Sequence, residues 1–378
     1  MKSNIKDNRK TKQKDIEPKQ SKLNKIKWKK IKSKQIFAAI LSIVLVLSGL
    51  WLIQALVMPK YMHGIVEGAM IAEYYKEDKN HDVIFIGDCE LYENISPAVL
   101  WEEYGINSYI RGSAQQLIWQ SYYLMEETFR YEKPKVVVFN VLSMQYHTPQ
   151  SEAYNRMTLD GMRFSFSKIK AIQASMTEEE HLIEYIFPIL RYHSRISELE
   201  KDDFTYLFHK DKVTHNGYYM RVDVKAAGTV PKGRPLGDYS FDKLAYEYLD
   251  KMTALCKENG VELVLVKAPS LYPYWYEEWD RQMVDYADRH NLKYYNFLDV
   301  TEEIGLDFQT DTYDGGLHLN LSGAEKLSRY FGEILQKECH LPSRQGEKKL
   351  EESWEKKLEL YYEEKKTQEE QLSQDNNL

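Results

Sequence analysis

From Ile36 to Met58 the chain runs for 23 residues without a charge (IFAAILSIVLVLSGLWLIQALVM). An α-helix rises ~1.5 Å per residue and the hydrocarbon layer is ~30 Å thick, so a helix here is long enough to cross a bilayer. The alternative, a cleaved signal peptide, has an apolar stretch of roughly 7–15 residues ending at a small-x-small site. This run is longer and ends in Leu-Val-Met-Pro, which favours an uncleaved anchor. Residues 1–35 carry 14 Lys/Arg against Asp7, Asp15 and Glu17, a net of +11. With −7 for the whole chain, the remainder holds −7 − 11 = −18. A basic head on an acidic body suits a membrane, whereas the body would repel nucleic-acid phosphate. By the positive-inside rule the head, with Lys22 to Lys34 beside the apolar run, stays cytoplasmic and everything after Lys60 lies outside. Residues 1–35 are expected to be disordered and held near anionic lipid.

The 3 Cys, 18 Gly and 11 Pro in 378 residues exclude a disulfide-stapled miniprotein and a collagen-like chain. After a short linker, 59–79, helical over about 61–78, strand-like runs alternate with helical ones. The strands are expected at Asp82–Ile86, Ser108–Ile110, Val136–Phe139, Val261–Val266 and Lys293–Asn296. Ser96-Pro97 opens one helix and Gly105 closes it; Phe241–Lys257 shows 3–4 apolar spacing and stops at Gly260. Short, nearly all-apolar strands with helical crossovers predict a parallel sheet covered on both faces, with ligands at the carboxyl ends of the strands. The fold class expected is α/β, a three-layer flavodoxin-like domain over 80–340 behind an N-terminal transmembrane helix at 36–58. A long insert at 144–240, helical after the capping box Thr177–Glu180, reads as a lid or docking surface. The charged tail, 341–378, has weak apolar spacing at Leu350, Trp354, Leu358 and Tyr361 and is expected to be a solvated helix fraying into disorder, with a coiled-coil partner site the less favoured reading.

Chemistry-bearing residues fall at strand ends: Gly87-Asp88-Cys89-Glu90 after the first strand, Arg111-Gly112-Ser113 after the second, Asn140 after the third, and Asp314-Gly315-Gly316-Leu317-His318 ahead of the final helix. Together they offer a nucleophile, oxyanion donors, and a base with a carboxylate partner, the parts of acyl transfer through a covalent intermediate. Each has a plainer competitor. A Cys ending a buried strand is commonly a small core residue, a loop histidine can be a cap, and Asn140 can cap its strand. Glu90 beside Cys89 opposes a thiolate unless its side chain turns away. Cys256 and Cys339 could pair as a disulfide, or Cys256 could be buried on a helix face. Glu178-x-x-His181 lacks a second ligand cluster, so no metal is expected, and no cofactor motif occurs. Tyr274 and Trp275 after the fourth strand could stack on sugar rings or pack beneath the insert.

The ordered set resembles the SGNH, or GDSL-type, hydrolase superfamily. The glycine-aspartate-nucleophile block is similar to Gly87-Asp88-Cys89, with Cys89 where that family usually has serine. The second-block glycine corresponds to Gly112, the third-block asparagine to Asn140, and the closing histidine to His318. The resemblance spans about 80–338. The family's carboxylate usually stands two or three residues before the histidine, whereas Asp314 stands four before His318; Asp311 is a second candidate. Single-pass anchoring also makes the chain similar to the D-alanine transfer and alginate O-acetylation proteins. That resemblance implies an extracytoplasmic esterase or O-acyltransferase at the cell membrane, acting on acyl esters of cell-surface glycans beside a membrane-bound acyltransferase. In it Cys89 is the nucleophile, His318 the base, Asp314 its partner, and Gly112 and Asn140 the oxyanion donors; the aromatic residues Tyr274 and Trp275, read from their place after the fourth strand, are the candidate substrate contacts. A non-catalytic surface protein that binds polysaccharide or an acyltransferase is the alternative, and a thiol-redox sensor at Cys89 ranks last.

Overall fold

The computed structural model describes residues 17–58, 67–209, 212–229 and 232–375. The expectations for residues 1–16 of the basic head and 59–66 of the linker lie outside the described residues. The chain divides into two compact units, Met1–Met58 with Phe187–His209, and Pro59–Ile186 with Lys210–Leu378. The division cuts through the insert expected as one piece at 144–240.

In the first unit a single helix runs over Glu17–Val57. Its Lys32–Val57 part, which contains an 18-residue window of mean hydropathy 2.7, is long and apolar enough to cross a membrane. The helix reaches back into the stretch expected to be disordered. Beyond Pro18, which is tolerated in a first turn, the segment contains no Gly or Pro before Gly49 and is rich in Lys, Leu and Gln, which propagate a helix readily. Three short helical segments, Ile189–Tyr192, His193–Glu198 and Lys201–Phe208, complete the unit.

The second unit is built on five parallel strands, Val83–Gly87 (β1), Ser108–Gly112 (β2), Val136–Asn140 (β3), Glu262–Lys267 (β4) and Lys293–Asn296 (β5). Their order is β2-β1-β3-β4-β5, the flavodoxin-like order. Strand residues alternate between two cores, as a two-residue period requires. Val83, Phe85, Val136, Val138, Val264 and Val266 face a core that includes Leu100, Leu327, Phe331 and Leu335 from the helices Pro97–Tyr104 and Leu321–Lys337. Ile84, Ile86, Val137, Phe139, Leu263 and Leu265 face Trp119, Met125, Leu249, Met252 and Met283 from the helices Ile118–Tyr131, Lys243–Asn259 and Glu277–His290. Gly105 and Gly260 stop their helices with φ of +66° and +67°, a conformation closed to most side chains. The edge of β2 is covered by the returning insert: Ile110 N donates to Asn216 O (2.9 Å) and Asn216 Nδ2 to Ser108 O (3.0 Å).

The tail departs from expectation. Lys348–Asp375 is a helix whose apolar stripe packs on the α/β core. Trp354 stacks on Trp101 with ring centroids 5.4 Å apart and planes at 6°, and its Nε1 donates to Asn107 Oδ1 (3.0 Å). Tyr361 is buried beside Tyr218, and the cations Lys357 and Lys365 pair with Glu77 (2.7 Å) and Glu325 (2.9 Å). Four apolar residues at helical spacing suffice because two of them are large aromatics. No disulfide joins Cys256 and Cys339; both are free, and Cys256 is buried with its Sγ 3.7 Å from Met125 Sδ.

Candidate active site

β1 ends at Gly87, where a side chain would strike Leu91 and the Asn140 Cβ at 3.0 and 3.1 Å, so glycine lets the next turn start tightly. Asp88 then caps the short helix Cys89–Tyr92, its Oδ1 accepting from Glu90 N (3.1 Å). Cys89 takes the first position of that helix and is partly exposed. Gly112, paired with Gly87 in register, lies where a Cβ would meet Gly87 O at 3.0 Å and Tyr92 Cδ1 at 3.1 Å.

His318 reaches this turn from the other end of the chain. Gly315 and Gly316 have φ of +85° and +105°. They fold the loop back so that Asp314 Oδ1 accepts from Leu317 N (3.2 Å) and His318 N (2.9 Å), while Oδ2 stands 2.7 Å from His318 Nδ1. The two glycines thus absorb the longer Asp–His spacing. Asp311 is turned elsewhere, accepting from Lys326 Nζ (2.6 Å), Ser322 Oγ (2.8 Å) and Asp307 N (2.8 Å). The residue after His318 is pinned to the turn after Cys89, since Leu319 N donates to Asn94 Oδ1 (2.8 Å).

Two acidic groups flank the imidazole. Besides Asp314, Glu93 Oε2 is 3.3 Å from Nδ1, and the Tyr313 hydroxyl donates to that same Glu93 oxygen. Glu93 stands four residues after Cys89, on one helical face with it. This i, i+4 acid lies one turn beyond the strand end, where position at a strand end gives no signal for it. Burial pushes the Cys89 thiol up to about 11, with His318 pulling it down. For His318, burial works against the charged ring, but Cys89, Glu93 and Asp314 outweigh it and hold its pKa well above the ordinary value. Asp314 is burdened by burial, yet the bonds from His318 take its carboxyl below the usual range. Among the described residues His318 Nε2 is buried and meets no partner with hydrogen-bond geometry, while the Cys89 thiol lies close enough to help raise the pKa of the ring.

Beneath the turn lies a second, closed network. Glu90 and Lys267 are both fully buried, with Nζ 2.9 Å from Oε1. Lys267, the last residue of β4, also donates to Ala268 O (2.7 Å). The Glu90 side chain therefore turns away from the thiol. Asn140 differs from expectation: its Nδ2 donates to Asp88 Oδ1 (2.9 Å) and Glu90 Oε2 (3.0 Å). Both amide hydrogens are committed to buried carboxylates, which require donors, and neither is left for an oxyanion. Burial and the neighbouring Glu90 push the Asp88 carboxyl up to about 7.

The two aromatics expected at a sugar ring separate. Trp275 is 7 % exposed and packs between Phe241 and Trp279, at 6.0 and 5.5 Å. It is a core residue because its ring completes the layer under the Glu277–His290 helix. Tyr274 is 43 % exposed and sets its ring edge-on to Tyr276 at 4.9 Å. Among the described residues no cluster of three or more His, Cys, Asp or Glu has metal-binding geometry.

The fold and this site define a three-layer α/β protein with a thiol, an imidazole and two acids gathered at the carboxyl end of its first strand. The sequence matches no family model and no curated protein. Among solved structures, the chain is similar to a "putative lipolytic protein of G-D-S-L family" from Desulfitobacterium hafniense, at TM-score 0.33 and 14% identity, covering 68% of this chain and 100% of that one. It is also similar to a "putative acylhydrolase" from Bacteroides fragilis, at TM-score 0.36 and 12% identity, covering 71% and 95%. At such limited overlap the functional reading rests on the site's own geometry.

Proposed function

We propose that the chain is a membrane-anchored esterase or O-acyltransferase working through an acyl-Cys89 intermediate on ester-linked acyl groups of cell-surface polymers. The observation that carries the reading is the Asp314–His318 pair at 2.7 Å, held against the Cys89 turn by the Leu319 N–Asn94 Oδ1 bond. In the first step the Cys89 proton passes to His318 Nε2 as Sγ attacks the acyl carbonyl. The thioester forms, the ester C–O bond breaks, and the departing oxygen takes the proton back from His318. In the second step His318 removes a proton from water or a glycan hydroxyl, whose oxygen attacks the thioester, and the thiol is regenerated. Asp314 holds the ring with Nε2 toward the sulfur. With the Asn140 amide committed elsewhere, the backbone N–H groups of Cys89 and Gly112 are the oxyanion donors in this reading, and Asn140 is a positioning residue. Tyr274 is the aromatic left for substrate. Water as acceptor makes the enzyme an esterase; a glycan hydroxyl as acceptor makes it a transferase.

The test is acyl-ester probe labelling of the full chain in detergent. Cys89 should carry the acyl mass, and Cys89→Ala and His318→Ala should lose it. Equal labelling of both variants and the parent removes the enzymatic reading. The committed Asn140 amide favours one second reading, a non-catalytic scaffold that binds polysaccharide. It predicts glycan binding retained in Cys89→Ala, with no turnover by the parent.

A further inference from the structure

Besides the Cys89–His318 pair the molecule holds the closed Glu90–Lys267 network, a cavity beside the start of the tail helix, and an apolar surface over residues 187–209. The network is filled by its own partners. The cavity, about 310 Å³ and lined by His81, Asn107, Glu347 and Lys357 among others, mixes charges of both signs without a preferred ligand. The third feature reaches a definite partner.

Residues Phe187–His209 belong to the same compact unit as the long apolar helix. Their attachment to its end is specific. Arg195 Nη1 donates to Val57 O (3.0 Å) and Met58 O (2.7 Å), carbonyls that the helix itself leaves unpaired at its C-terminus. Nη2 of the same guanidinium reaches Asp203 Oδ1 (3.4 Å) on the Lys201–Phe208 helix. The segment is thus fastened where the apolar span ends. Yet it leaves large apolar side chains uncovered: Phe187, Leu190, Ile196 and Phe204 are about half exposed and Phe208 is 86 % exposed. Phe204 and Phe208 are four residues apart, on one face of their helix, while the exposed Asp202 stands on the opposite face. A water-facing surface seldom keeps so many large apolar groups together.

We infer that residues 187–209 form an interfacial collar whose Phe204/Phe208 face is embedded in the lipid surface around the outer end of the span. The occupant is lipid rather than a protein because the segment is bound to the last carbonyls of the apolar helix. Whatever medium surrounds that end also surrounds the collar. Aromatic and aliphatic side chains at the headgroup boundary, with a charged opposite face, are the chemistry of an interfacial helix. The inference rests on reading Lys32–Val57 as a membrane anchor.

The test uses the full chain, with p-benzoylphenylalanine placed singly at 45, 202, 204 or 208. It is reconstituted in phosphatidylcholine–phosphatidylglycerol vesicles containing a radiolabelled lipid and irradiated. Lipid adducts at 204 and 208 should fall within about twofold of those at 45, in the span, and exceed those at 202 by about tenfold. Adducts at 45 without adducts at 204 and 208 overturn the collar and leave the anchor standing. Absence of adducts at 45 as well removes the anchor reading, and the collar with it. Cross-links from 204 and 208 to protein in place of lipid overturn the inference in favour of a protein partner.

Discussion

His318 has two carboxyl groups within reach of one ring nitrogen, and that arrangement dictates how the site must respond to pH. Asp314 and Glu93 both stabilise the imidazolium, and so does a Cys89 thiolate. A charged ring facing a neutral thiol holds one proton too many for attack. The competent pair has lost that proton, whether written as thiol with imidazole or as thiolate with imidazolium. Because the His318 pKa is raised, the loss occurs above the ordinary histidine range, and the acylation rate should climb toward alkaline pH. Glu93→Gln removes one negative neighbour, lowers the His318 pKa, and should shift the rising limb toward lower pH. Acyl-probe kinetics across pH would show it; an unmoved limb means Glu93 holds Tyr313 in place without acting on the ring's charge. The Glu90–Lys267 pair makes a stability prediction of a different kind. Lys267→Met strands a fully buried carboxylate and should cost about 3–5 kcal/mol in thermal unfolding of the full chain in detergent. Adding Glu90→Gln should restore part of that loss, since no buried charge then lacks a partner. A double variant no better than the single would show that the pair acts through packing alone.

At the scale of elements, the tail helix contributes more than its charge suggests. Trp354 fills the space over Trp101 and gives its N–H to Asn107. Trp354→Ala should therefore destabilise the full chain by about 3–5 kcal/mol, read as a lowered unfolding midpoint, whereas Lys366→Ala on the exposed side should change little. Equal effects would mean that the helix does not dock in solution. The helix also shows where sequence reading runs out. β1, β3 and β4 were legible because short runs of apolar residues rich in Val and Ile, bounded by helical stretches, leave few other folds, and their expected limits fall within a residue or two of those observed. The tail was misread because four apolar residues in a run of charges resemble a solvated helix, and the surface that receives them, Trp101 and Tyr218, lies far away in sequence. In the candidate site, Cys89, Asp314 and His318 stood out through glycine punctuation and position at strand ends. Lys267 did not, since a lysine ending an apolar strand ordinarily marks the return to solvent; the facing Glu90 and the Ala268 carbonyl account for its burial. Asn140 was legible as a strand-end residue, but where its amide points depended on carboxylates from two other positions. Trp275 followed the same rule: aromatic type shows in sequence, the covered face does not.

For the molecule as a whole, the distribution of charge sets which side of a membrane the chemistry would occupy. The head of +11 and the body of −18 are divided by the apolar span. Holding Lys and Arg on the cytoplasmic side costs least, because a basic flank is attracted by anionic lipid there and opposed by the membrane potential on the other side. Acidic residues have little influence on orientation, so the head decides. Protease added to intact cells should consequently remove an epitope placed after Leu378 and spare one placed before Met1. Replacing the seven lysines from Lys22 to Lys34 with glutamine should weaken that asymmetry and yield a population with the C-terminal epitope protected. Protection of the C-terminal epitope in the parent chain would place the thiol in a reducing cytoplasm, where a cell-surface polymer could not reach Cys89, and the substrate would have to be sought among intracellular esters.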